Sequence, residues 1–466
     1  MENVTQSIKE SAIIIFAGLG MFLSTLDTGI INVALPTLEQ KFHTNITTIS
    51  WVVTLYTLVL SSTIVVFGRL SDRYGRVRFY RIGLWIFTLS SLLCGAAYSA
   101  CSLIFFRGMQ GIGAALLQAT AMALITTFVA PERRGIALGT MGSMIGLGPI
   151  LGPTLGGFIL SSIGWRWIFW INLPLCLIGL FWSRHLPNRF NRNACNLNLS
   201  GIFFFSTTIL SFIWALSIAS QIGLKDFKSL GLLGLAIVSA ALCRRFEKSS
   251  KQPIVALPLF KKPEFVLPMV ATVAFGVASA IIFMIPPFFL EKLHHFSPWQ
   301  TGLVVFCAPL GVVLFSRLSG KLIHYFGTMI LMTVGLLCML LALIGLALLS
   351  FNWSPFVIAG LLFLYGMGGG LFQTPSISAI MGLVEEAQQG TIGAVNRMVQ
   401  NASIALGATV ASTMVAFQIN VSNEKLITGF QHAWWFALAF IAVALCCFMW
   451  FFIKKIKTTS YIDNTA

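Results

Sequence analysis

Fourteen long apolar runs punctuate this chain, and they constrain its fold more than any single residue does. They lie at about 11–36, 47–67, 80–98, 102–128, 136–161, 167–184, 200–221, 228–243, 265–290, 299–318, 328–350, 354–380, 390–418 and 431–453. Most reach the ~20 residues that a helix needs to cross the hydrocarbon core of a bilayer. Lipid offers no partner for backbone N–H and C=O groups, so such runs satisfy them internally, as helices. Only 9% of the 466 residues are charged, against about 25% in a soluble domain. The expected class is an all-α polytopic membrane protein with 14 transmembrane helices. The first run is too long for a signal-peptide core and has no small-residue cleavage site, so it is expected to be retained as a span.

The net charge of +16 invites a nucleic-acid partner, but its distribution does not. With the N-terminus inside, 22 of the 30 Lys and Arg residues fall on cytoplasmic segments and 6 on outer ones. Arg107 and Arg397 are left inside helices. This is the positive-inside pattern, and it predicts a plasma-membrane protein with both termini in the cytoplasm. The expected partners are the lipid bilayer, protons and a small-molecule substrate, with no nucleic acid and a monomeric chain. The nine cysteines show no metal-ligand spacing, so no metal is expected. There is no P-loop, no paired carboxylates and no nucleophile triad. The chain is therefore read as a transporter and not an enzyme, with no cofactor and a proton gradient as its energy source.

The chain repeats itself. "GRLSDRYGR" (Gly68–Arg76) follows the second run and "GKLIHYFGT" (Gly320–Thr328) the tenth, with Gly68 and Gly75 matching Gly320 and Gly327 at an offset of 252. "LIFFRGMQG" (Leu103–Gly111) resembles "LLFLYGMGG" (Leu361–Gly369) at an offset of 258. Two six-helix halves separated by two extra spans account for both. The divisions expected are 1–190 for the N-terminal half, 191–264 for two linker helices and a cytoplasmic loop, and 265–466 for the C-terminal half. Repeated halves are how many secondary transporters build alternating faces around one cavity.

Of the fourteen acids, Asp27 alone is well inside a run. A carboxylate there costs roughly 2.5–3.5 kcal/mol on insertion scales and is a functional-site hypothesis by default. A hydrogen bond to a neighbouring helix is the structural alternative. On the fourth run Arg107, Gln110, Gly111, Ala114 and Gln118 fall within about 60° of one another, a polar stripe facing the bundle. Arg107 keeps its charge and acts as a fixed field or a hydrogen-bond fork. Near Asp27 it would bias when a proton leaves. Asn32, Gln110 and Gln118 are expected to line a cavity, with Arg397, Gln400 and Asn401 sharing a face of the thirteenth run as a second polar patch.

Gly148, Gly152 and Gly156 recur every four residues in "GLGPILGPTLGG" (Gly146–Gly157), which also holds Pro149, Pro153 and Gly157. A face without side chains permits close helix approach in lipid, and the prolines remove backbone donors. In "GRLSDRYGR", Gly68, Asp72, Arg73, Gly75 and Arg76 form a candidate latch. Asp72 is placed to bond nearby arginines or a helix N-terminus and then let go.

"LDTGIINVALP", "GRLSDRYGR", "RGMQGIGAA", "GLGPILGPTLGG" and "WRWIFWINLP" resemble, in order, the signature motifs of the major facilitator superfamily, best the fourteen-span drug:proton antiporter branch. The resemblance implies two six-helix bundles that rock about a central site. It also implies that the fifth helix marks an exporter, that Asp27 and Arg107 serve proton coupling, and that Asp72 and its neighbours stabilise the outward-facing state. Two residues depart from the pattern, Gly29 in place of Thr and Ala119 in place of Pro, both expected beside the cavity. Tyr365 stands where the repeat would place a second Arg107.

The expected function is proton-coupled export of small amphiphilic or drug-like molecules by alternating access. An anionic metabolite such as a siderophore is an alternative cargo. A symporter or importer on the same fold, or a lipid-handling membrane protein, are the other readings.

Overall fold

The computed structural model describes residues 2–44, 46–184, 186, 199–222, 226–248, 259, 261–293, 295–296, 298–348, 353–385, 388–416 and 423–463. Its regular structure is helical throughout the described residues. The helices are α1 (Glu2–Lys41), α2 (Ile46–Tyr74), α3 (Arg76–Gly95), α4 (Ala100–Phe128), α5 (Arg134–Ser162), α6 (Trp167–Trp170), α7 (Asn172–Ser183) and α8 (Leu199–Ile222). They continue as α9 (Phe227–Lys248), α10 (Pro263–Leu293), α11 (Pro298–Val305), α12 (Cys307–Ala347), α13 (Pro355–Gly382), α14 (Gln389–Ala416) and α15 (Asn423–Asp463).

Ten helices among the described residues are long and apolar enough to cross a membrane, and one of them, Gln300–Ala347, holds two of the expected runs. The remaining three runs are α5, the α6–α7 pair and α14. Large apolar side chains stand outward where lipid would meet them, such as Trp85, Phe158, Phe203, Ile237 and Trp450. That is the arrangement expected when the solvent is itself apolar.

Local chemistry sets the ends. Ser99 Oγ accepts from Ser102 N at 3.2 Å while Ser102 Oγ accepts from Ser99 N at 3.1 Å, a reciprocal cap that opens α4. Ser354 caps α13, with Pro355 in the first turn, where a missing N–H costs nothing. The chain reverses at Gly75 (φ 106) and, inside α12, at Gly327 (φ 74), both in a region closed to most L side chains. The glycines matched by the 252-residue offset thus make the same turn.

The chain forms two compact units. The first comprises residues 1–255 and 384–402, the second 256–383 and 403–466. In the first unit, Leu26, Ile30, Ile49, Leu103, Ile168 and Phe169 form a buried cluster. The linker helices α8 and α9 belong to this unit, and Trp214 of α8 meets Trp51 of α2 edge to face at 6.0 Å. Arg81 of α3 donates from Nε to the Ser183 carbonyl (3.1 Å) and from Nη2 to that of Leu186 (3.1 Å), tying off the end of α7. The Tyr80 hydroxyl accepts from Gly20 N at 2.9 Å and donates to the Phe16 carbonyl, sitting across one rung of α1. In the second unit, Phe275, Phe289, Met339, Phe372, Trp434 and Phe448 belong to one buried cluster.

The repeat extends to helix contacts. An added Cβ on Gly83 would lie 3.2 Å from the Gly113 carbonyl of α4, and one on Gly335 would lie 2.7 Å from the Gly368 carbonyl of α13. Gly83 and Gly335 are themselves 252 residues apart, so the same close crossing is built once in each unit.

Candidate functional site

Asp27 lies on α1, 1% exposed, and Arg107 lies on α4, 0% exposed. Arg107 Nη1 donates to Asp27 Oδ2 in a buried ion pair. Asp27 Oδ1 accepts from Gln110 Nε2 at 3.0 Å and from Asn172 Nδ2 at 2.9 Å. The carboxylate therefore has three donors on two oxygens. Arg107 Nε donates to the Val52 carbonyl of α2 at 3.0 Å, and its Nη1 also reaches Gln110 Oε1 at 2.6 Å. Its guanidinium carbon sits 4.2 Å from the ring centroid of Tyr56, close enough for cation–π attraction. Gln110 Nε2 also donates to Ser91 Oγ of α3 at 2.9 Å. Three helices, α1, α4 and α7, thus meet at one acid, and Arg107 and Gln110 tie α2 and α3 into the same network.

The local sequence explains the convergence. The chain breaks at Ile171, between α6 and α7, and this sets Asn172 as the first residue of α7, with Pro174 in the first turn. On α4, Arg107 and Gln110 are three residues apart and share a face. Gln110, expected along the cavity wall, is fully enclosed and joins the ion pair. Gln118 is two turns further along and donates to Ser24 Oγ at 3.0 Å. Asn32 lies in α1, and its side chain falls outside the described set.

The glycine face of α5 packs on the same stretch of α1. An ideal Cβ on Gly148 would fall 2.6 Å from Leu26 N, one on Gly152 2.6 Å from Gly29 Cα, and one on Gly156 3.1 Å from the Ile30 carbonyl. Gly29, expected beside the cavity, forms the partner surface of this crossing. Two glycines face each other where any side chain would push the helices apart. Gly157 has nothing within 4 Å and stands off the face. The side chains of Pro149 and Pro153 fall outside the described set.

The residues expected to form a latch make a second network in the first unit. Asp72 Oδ1 pairs with Arg76 Nη2 at 3.0 Å and accepts from its Nε at 3.1 Å. Asp72 Oδ2 accepts from Thr391 N at 2.9 Å and Thr391 Oγ1 at 3.0 Å. Thr391 is in the first turn of α14, where backbone N–H groups lack intrahelical partners and negative charge is favoured. Arg76 Nη1 extends to the Ala123 carbonyl at 3.2 Å and to Thr127 Oγ1 of α4. The Gly68 carbonyl accepts from Ser71 Oγ at 2.7 Å, and Arg73 lies over the Tyr74 ring at 5.3 Å. On α14, Arg397 Nη1 donates to Gln400 Oε1 at 2.6 Å.

The second unit carries the neutral counterpart of the ion pair. Tyr365 is 258 residues after Arg107, and Ser279 is 252 after Asp27. The Tyr365 hydroxyl and Ser279 Oγ are 3.0 Å apart, both buried. An acid–guanidinium pair in one unit is thus a hydroxyl pair in the other.

Asn172, Ser91, Tyr56 and Thr391 were not apparent as site residues from sequence. Asn172 carried a signal, an amide at the end of "WRWIFWINLP" in an otherwise apolar run. Thr391 carried none, because only the fold brings α14 to Asp72.

Comparison with known proteins agrees with this architecture. The family description "Major Facilitator Superfamily" matches residues 17–408. The riboflavin transporter RibZ of Clostridioides difficile is 30% identical over 457 residues, 96% of this chain and 99% of that protein. The multidrug resistance protein Stp of Mycobacterium tuberculosis is 32% identical over 88% of this chain and 77% of that protein. The multidrug transporter protein MdtP of Bacillus subtilis is 28% identical over 92% and 79%. Among solved structures, the human organic anion transporter MFSD10 aligns with a TM-score of 0.68 at 15% identity, over 94% of this chain and 99% of that one. A double-tryptophan variant of XylE gives 0.69 at 16% identity, over 95% of each. At those identities the structures bear on the fold alone.

Proposed function

The chain belongs to the major facilitator superfamily, and on that premise we propose that it is a proton-coupled exporter of small amphiphilic or drug-like molecules. It is a multi-pass membrane transporter and not an enzyme, with relatives named as multidrug resistance proteins. The observation that carries the finer reading is the buried Asp27–Arg107 pair with Gln110 and Asn172 around it. Arg107 cannot give up its charge, so Asp27 is the member that exchanges a proton. Protonation of Asp27 removes the charge that holds Arg107, Gln110 and Asn172 together, and five helices are tied into that network. Release of the proton to the cytoplasm re-forms the pair. One charge moving down the membrane potential supplies about 2.3 kcal/mol per 100 mV.

In this reading both termini are cytoplasmic, residues 1–190 and 265–466 are the working halves, and 191–264 is the insert. The Asp72–Arg76–Thr391 network is the latch, and the α1–α5 glycine crossing is the surface on which the coupling helix bears. Inverted membrane vesicles energised by respiration test it. They should accumulate rhodamine 123 or carboxyfluorescein, and a protonophore should abolish the accumulation. Accumulation that survives the protonophore contradicts proton coupling.

A flavin is a second candidate cargo. It is favoured by the relative named as a riboflavin transporter, which aligns over nearly its whole length. Competition of riboflavin with dye uptake in the same vesicles discriminates the two.

A further inference from the structure

The first unit buries, on α14, a guanidinium to which no described acid is bonded. Arg397 on α14 is 3% exposed and Gln400 is 7% exposed. Asp27–Arg107 and Asp72–Arg76 are ion pairs of this unit, and among the described residues no carboxylate bonds Arg397. Its one described bond is from Nη1 to the neutral Gln400 Oε1 at 2.6 Å. Arg397 Nε is buried with no partner, and so is Nδ2 of Asn401, one turn further along. Residues four apart lie on one helical face, so the two unsatisfied donors belong to the same face of α14.

Such an arrangement is expensive unless something completes it. A buried charge without a partner is strongly unfavourable, and a buried donor left unmade costs the full desolvation of that group. Arg107 also leaves one nitrogen, Nη2, without a partner, but its charge is met by a carboxylate, with a carbonyl, an amide and an aromatic face beside it. Arg397 has one amide of the four. The missing partner must accept hydrogen bonds at two points on that face and bring negative charge, and it must be able to leave. A carboxylate or phosphate oxygen pair matches the guanidinium fork in both geometry and charge. A cation would meet repulsion, and a neutral apolar molecule would leave both donors unmet.

We propose that Arg397 and Asn401 form an anion-docking site for the cargo, and that this protein carries organic anions in preference to cations. Gln400 Oε1 holds one arm of the fork in place until the cargo arrives. The proposal rests on the reading of the chain as a small-molecule transporter, and it narrows the cargo to one charge class.

The test is equilibrium binding to the purified full-length protein in lipid nanodiscs, read by fluorescence anisotropy with no gradient present. Two xanthene dyes of opposite charge serve as probes, anionic carboxyfluorescein and cationic rhodamine 123. Wild type is expected to bind carboxyfluorescein saturably and more tightly than rhodamine 123. Arg397→Gln should weaken the anion roughly 10- to 100-fold and leave the cation unchanged or tighter. Arg397→Lys, which keeps the charge but loses the fork, should fall between. Asn401→Ala should weaken the anion several-fold, and it carries the test if Arg397→Gln does not fold by thermal melting. Absence of saturable anion binding to wild type, tighter binding of the cation, or folded Arg397 and Asn401 variants that bind the anion as wild type does would each overturn the proposal. Failure of the exporter reading looks different, because binding would keep its Arg397 dependence while energised vesicles moved neither dye.

Discussion

Asp27 has two oxygens and three donors, and that arithmetic sets what each neighbour is worth. Removing Asn172 leaves Oδ1 with Gln110, whereas removing Gln110 strips a bond from Asp27, from Ser91 and from Arg107 at once. Hydrogen bonds to charged groups are worth about 1.5–3 kcal/mol each. Asn172→Ala should therefore lower unfolding stability by about that amount, and Gln110→Ala by more, as read by thermal melting in detergent. Equal melting temperatures for the two would contradict the described network. Breaking a buried ion pair by deleting one member costs about 3–5 kcal/mol, because the survivor is left charged and alone. Arg107→Leu should show such a loss, and the double variant Arg107→Leu with Asp27→Asn should recover part of it. A double variant no more stable than the sum of the singles would mean the two residues act independently. Asp27 and Arg107 stood out in the sequence because charge inside an apolar run is conspicuous. Asn172 did not stand out, since a single amide in a membrane helix is as often glue between helices as part of a site.

At the scale of elements, packing turns on where side chains are missing. Gly152 faces Gly29 so closely that a Cβ would sit 2.6 Å from the opposing Cα, while Gly157 five residues on meets nothing within 4 Å. Gly152→Val should abolish transport and reduce folded yield severalfold, and Gly157→Ala should match wild type or slightly improve on it, since Ala is the better helix former. Equal yields by size-exclusion chromatography would show that the crossing tolerates separation. Gly327 offers a cleaner backbone test. Its φ of 74 is strained for an L residue, and no atom lies within 4 Å of an added Cβ. With ψ at 167 the residue lies in a region essentially reserved for glycine, so Gly327→Ala should lower thermal stability by the ~1–3 kcal/mol of backbone strain alone, and no change in melting would show the turn relaxing elsewhere. The helices themselves were legible as apolar runs, and the turns as glycines shared by the repeat. The role of Gly29 was not, because a glycine needed for close approach looks the same in sequence as one beside a cavity.

Across the whole molecule the same plan is built twice and charged once. The reversals at Gly75 and Gly327 and the crossings at Gly83 and Gly335 recur, yet Asp27–Arg107 is answered by Ser279–Tyr365. The offsets of 252 and 258 exposed this repeat in the sequence, and Tyr365 signalled the asymmetry. The contact of Asp72 with Thr391 was out of reach, because the two are separated by 319 residues. If that contact is a latch, Asp72→Asn, which keeps the shape but removes the charge that holds Arg76 and Thr391, should lower vesicle transport several-fold at unchanged insertion. Full transport by Asp72→Asn would remove the latch from the account. The central claim is that one acid couples the gradient to export, and substrate-driven proton release measures it directly. Inverted vesicles with an acid lumen should lose protons when a transported dye is added to the wild type, and Asp27→Asn, inserted at the same level, should lose none. Equal proton release by Asp27→Asn would contradict the claim.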